Sequence, residues 1–161
     1  MSIQCVDYDW LKGSWRPPWS GKTHMNSGDM STHRLKTRIR RHGLPGPVAR
    51  VFRQELLRVA AVGGAVQPLA ASLVEHLMED KSPDVIHVAP FEALWQYSCL
   101  FIEACITVAV ADGRYSVDKA RHISQLAHRL GFSARQLSDL EREVLGALIA
   151  RSEGHSATGA P

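Results

Sequence analysis

The stretch from Leu100 to Leu145, LFIEACITVAVADGRYSVDKARHISQLAHRLGFSARQLSDLEREVL, constrains the fold more than any other part of the chain. It reads as an apolar helix, an Ala-Asp-Gly turn at 111–113, an amphipathic helix, a glycine stop and a further helix. The first of these, predicted from about Pro90 to Ala111, spreads Phe91, Leu94, Trp95, Ile102, Ile106 and Val110 around most of its circumference. A helix apolar nearly all round must be covered on several sides, which predicts a central place in a bundle. Glu103 is the exception on that surface. No second acid or His stands at paired spacing beside it, so the expected role is ion pairing with an Arg of a neighbouring helix. Glu103 and Gln96 also argue against a membrane span at 93–111, since a span of about 20 residues seldom carries a central carboxylate.

Punctuation on either side supports a helical bundle. Ser116 is placed to cap the next helix, and Asp118 in its first turn complements the positive end of the helix dipole. Val117, Ala120, Ile123, Leu126, Ala127 and Leu130 mark its core face. Gly131 suits the left-handed residue that ends a helix. Ser133-x-x-Gln136 is a capping box that opens the last helix, with Leu137, Leu140, Val144, Leu145 and Leu148 facing inward. Upstream, Pro45-Gly-Pro47 opens a helix over about 47–62, with Val51, Phe52, Leu56, Val59 and Ala60 on one side. Gly63-Gly64 ends it. A second helix over 65–79 carries Pro68 in its first turn and an apolar stripe of Leu69, Leu73, Val74, Leu77 and Met78. Residues 84–90 read as a connector.

The expected fold is therefore all-α, a compact single-domain bundle of about five main helices over 45–150. An extension, 1–44, precedes it and is expected to be mostly disordered or loosely docked. A flexible tail, 151–161, follows. In the extension Trp10, Trp15 and Trp19 are candidate docking residues for a partner or for the domain's own groove. Met25 and Met30 stand just before the regular sequence as alternative translation starts. Ser20–Thr23, SGKT, looks like the end of a phosphate-binding loop, but position 16 is Arg and no strand precedes it, so that reading fails.

Charge is divided along the chain. Residues 22–53 hold eight Lys/Arg and one acid, a balance of +7, whereas residues 54–161 hold nine Lys/Arg and thirteen Asp/Glu, a balance of −4. The basic arm, densest at His33–His42, is expected to be a solvated flank. The alternative is nucleic-acid or anionic-membrane binding within 33–53, through Arg34, Lys36, Arg38, Arg40 and Arg41. Cys5, Cys99 and Cys105 are odd in number and lack metal-type spacing, so buried free thiols and a reducing, cytoplasmic setting are expected. His122 and His128, six apart, fall on different faces of one helix, and His76 and His87 have no near ligand partners. All four read as surface or rim residues. No nucleophile elbow or glycine-rich cradle is visible, so no enzyme is expected.

The stretch Ala109–Ser133, with Ala-Asp-Gly at 111–113 and Leu130-Gly131-Phe132-Ser133, resembles the TerB-like family of tellurite-resistance-type helical domains over the C-terminal third. The resemblance implies an all-α bundle and a non-enzymatic interaction or scaffold role in a stress-response or envelope-associated assembly. It implies a protein partner, a second copy of the chain included. It also implies divalent-metal binding near the turn, carried over to Asp112 and Asp118. This sequence departs from the family at position 119, where Lys stands in place of an acid. The bare residues explain both acids without metal, Asp112 bonding its own turn and Asp118 serving the helix N-terminus. A divalent-metal-responsive protein is the second alternative, and no other cofactor is expected.

Overall fold

The structure, a computed structural model, describes residues 30–79 and 89–154, with side chains over 32–79 and 89–147. Trp10, Trp15, Trp19, Cys5 and His87 lie outside the described residues. The element order is α1 (Met30–His42), α2 (Gly46–Ala61), α3 (Pro68–Met78), a 3₁₀ helix (Phe91–Tyr97), α4 (Ser98–Ala109), α5 (Val117–Arg129) and α6 (Ala134–Gly154). Among the described residues there is no strand, and no helix is long and apolar enough to cross a membrane.

The bundle is built around α4. Every residue of α4 except Glu103 is buried, and α4 touches each of the other elements. Phe101 lies at its centre, edge-on to Phe52 of α2 at 5.1 Å and to Phe91 at 6.2 Å between ring centroids. Such edge-to-face pairs add about 0.5–1.5 kcal/mol beyond the area they bury. The expected core face of α2, Val51, Phe52, Leu56, Val59 and Ala60, is buried as read. Glu55 lies on that same face at 5% exposure and forms an ion pair with Arg58.

The single helix expected over Pro90–Ala111 is divided. Pro90 is extended (φ −63°, ψ 156°), and the 3₁₀ turns that follow place Phe91 and Leu94 inward together. Residues three apart eclipse in a 3₁₀ helix, so this winding stacks both side chains on one side. Tyr97 (φ −115°, ψ 16°) then breaks the winding before α4 begins. Arg129 of α5 closes over the segment, its guanidinium 3.8 Å from the Phe91 ring centroid and 3.5 Å from Glu92.

The larger correction concerns the basic stretch. Residues 33–42 are not a solvated flank outside a body that starts at 45. They form α1, which packs on α3 and α4. Leu35 and Ile39, with Leu44 just beyond the helix, are buried at 1%, 0% and 4% exposure. The dense Arg/Lys run hides an i, i+4 apolar pair, which is enough to seat a helix when the core offers a slot. Two further expected core positions are exposed instead, Leu69 at 68% and Val117 at 73%, each in the first turn of its helix. At the other end, α6 continues to Gly154, past the expected boundary at 150.

Because Ile39 is fully buried, Ile39→Ala is expected to destabilise the protein by about 2–5 kcal/mol. Urea denaturation of the variant checks this. An arm outside the core would leave the midpoint unchanged.

Candidate functional site

The acidic turn follows directly from the end of α4. Gly113 takes a left-handed φ of 78°, which turns the chain back toward α5. Asp112 Oδ1 accepts the Arg114 backbone N–H at 3.0 Å, an Asx turn. Ser116 Oγ accepts the Lys119 backbone N–H at 3.3 Å, the expected cap of α5. That cap aims the Lys119 side chain back under the turn. Its ammonium donates to Asp112 Oδ2 at 2.7 Å and to the Ala109 carbonyl at 2.8 Å, and the residue is only 5% exposed. The Lys119 hydrogen bond is the main reason the Asp112 carboxyl is held below its usual range. One cation thus joins the carbonyl end of α4, the negative end of its dipole, to the first turn of α5.

These residues do not fit a divalent cation. Hard cations gather six or so oxygen ligands, but here both Asp112 oxygens are already engaged. Asp118 is 68% exposed and lies 3.5 Å from Arg121. Among the described residues no group of three or more His, Cys, Asp or Glu side chains is gathered for a metal. Lys119 itself supplies the positive charge at the turn. Sequence reasoning noted this Lys only as a departure from a family pattern. No local signal marked it as buried, because its side-chain partners Asp112 and Ala109 stand seven and ten residues back in the chain.

The five cations of the basic stretch are divided by the helix. Lys36 pairs with Glu79 at the end of α3, and Arg38 pairs with Glu103. The arginine partner expected for Glu103 is therefore present, and it comes from the segment read as solvated. Arg34, Arg40 and Arg41 are exposed, as are His33 and Thr37 between them.

A second carboxylate, Glu143 of α6, stands half-buried near the Arg38–Glu103 pair. Burial pushes its pKa up to about 7, the nearby Glu103 charge adds to this, and Arg38 opposes it. Burial likewise raises Glu103 despite its arginine partner. Elsewhere, the Tyr115 hydroxyl donates to Glu141 Oε1 at 2.5 Å, pinning the α4–α5 link to α6.

Of the histidines, His76 and His128 are exposed as expected. His122 differs: it is half-buried, and its Nε2 is closed off from solvent without a hydrogen-bond partner. Cys105 is the free thiol among the described residues, and full burial, helped by Glu55, raises its pKa well above the usual value. Cys99 is disulfide-bonded, which corrects the expectation of free thiols throughout. Compared with protein-family models, with curated proteins and with solved structures, the chain finds no match in any of the three.

Two outcomes follow from this geometry. Lys119→Met leaves the Ala109 carbonyl and Asp112 without their partner, and a loss of about 1–3 kcal/mol is expected in chemical denaturation. For Glu143, the folded pKa of about 7 lies above its ordinary 4.5, so folding favours the protonated form. Its contribution is fully present below pH 4.5 and is lost as pH rises through about 7. Relative to Glu143→Gln, the wild-type melting temperature is therefore expected to fall across that window, as thermal melts at stepped pH will measure.

Proposed function

We propose that the chain is a non-enzymatic protein-interaction module of TerB-like type, acting as a scaffold in a stress-response or envelope-associated assembly. The observation that carries this reading is the apolar surface at the link between α2 and α3. Val66 and Leu69 are exposed there at 39% and 68%, three residues apart across Pro68. Gly63 and Gly64, at φ 89° and 147°, turn the chain just before them. Burying each of these large apolar side chains contributes about 1.5–3 kcal/mol if complete. The partner is a protein, and a second copy of the chain is one form it can take. A cytoplasmic setting belongs to the same proposal and rests on the Cys105 thiol, with the Cys99 disulfide weighing against it.

The test is a pull-down from native lysate at high salt, with Val66→Ser/Leu69→Glu beside the wild-type chain. A protein retained by the wild type and lost by the variant is the expected result, with unchanged helical content by circular dichroism. Equal retention by both chains overturns this surface as the docking site.

A further inference from the structure

The winding of α1 separates its cations into three classes. At about 100° per residue, Leu35 and Ile39 mark the inner face, and Lys36 and Arg38 fall on its two flanks. Each flank cation reaches down to a glutamate of the body, Lys36 to Glu79 and Arg38 to Glu103. The opposite side carries Arg40, His33, Thr37, Arg41 and Arg34 within an arc of about 120°. All five are exposed, and α1 contains no acid at all. The chain outside α1 carries a balance of −2, the net +3 less the five cations of the helix, so attraction for an anion concentrates on this one surface.

We propose that the outer face of α1 binds the phosphate backbone of double-helical nucleic acid, with Arg34 and Arg41 as its principal contacts. These two residues stand two turns apart on one side of the helix, separated by about 10.5 Å along the axis. Thr37 lies between them with a hydroxyl of the kind that donates to phosphate oxygens. Leu35 and Ile39 hold α1 against the core, so it is the outer side that meets the ligand. That side carries no Asn, Gln, Asp or Glu to pair with base edges, which favours phosphate contacts that are independent of sequence.

Two features separate a duplex from other polyanions. The sequence of α1, MSTHRLKTRIRRH, has no aromatic residue on which an unpaired base would stack, which disfavours single strands. Membrane-surface helices insert an apolar face below the headgroups. Here that face is spent in the core, and the exposed large apolar side chains Val66, Leu69 and Val117 all lie on other elements.

The experiment is fluorescence anisotropy of a labelled mixed-sequence DNA duplex with the full chain, between about 50 and 200 mM salt. Phosphatidylglycerol vesicles and a single strand of the same sequence serve as competitors. Arg34→Gln/Arg41→Gln is compared with Arg121→Gln/Arg135→Gln, an equal loss of charge from exposed positions on α5 and α6. The expected result is duplex binding whose log–log salt slope falls by about two in the α1 variant, at roughly 0.9 per phosphate contact, and is unchanged in the other. Absence of duplex binding at the lowest salt overturns the proposal. So does an equal loss in both variants, or displacement of the duplex by vesicles or by the single strand at lower concentration.

Discussion

The burial of α4 is the constraint on which the rest of the structure depends. A helix with eleven of its twelve residues buried has no face to give to water, and the other elements are arranged to cover it. Its single carboxylate, Glu103, makes that cover specific. A carboxylate so placed costs several kcal/mol unless a cation comes with it. Arg38 brings that cation, and it brings α1 too. The helix most rich in positive charge is thus drawn onto the most apolar helix by one acid. Leu35 and Ile39 complete the seat.

The corners of the bundle are held by short-range chemistry that works independently of the core. Phe132 N–H bonds the Ala127 carbonyl and Gly131 N–H bonds that of His128, the pattern of a Schellman stop. Ser133 and Gln136 then exchange hydrogen bonds at 2.8 and 3.2 Å as a capping box. At the α4–α5 corner an Asx turn, a serine cap and the buried Lys119 act together. The first two are local, whereas the Lys119–Ala109 bond spans ten residues and joins two helices. That distinction separates a turn that merely reverses the chain from one that sets the angle between helices.

The charge pattern acquires meaning only when the helix is wound. In one dimension Arg34 to Arg41 is a uniform basic run. Wound at 3.6 residues per turn, its cations go to different environments. The flank pair neutralises acids of the body and serves stability, while Arg34, Arg40 and Arg41 lie on the exposed side. They leave a basic surface on a molecule whose remainder is acidic.

Sequence alone determined the elements whose cause is local. The caps at Ser116 and Ser133, the glycine stops at Gly63 and Gly131, and the core faces of α2 and α5 beyond its first turn were all legible. Each depends on residues within a few positions of one another. The central place of α4 was legible as well, because an unbroken apolar circumference permits little else. Tertiary structure alone decided that α1 belongs to the body, since its two inward residues gain nothing until α3 and α4 present a slot. It decided that Leu69 and Val117 face outward, because a first-turn residue is covered only if a neighbour reaches the helix end. It also decided that Lys119 turns inward to meet Asp112 and Ala109. The physical reason is common to all three: burial and ion pairing are paid for by partners distant in the chain, and no local pattern records where those partners will be.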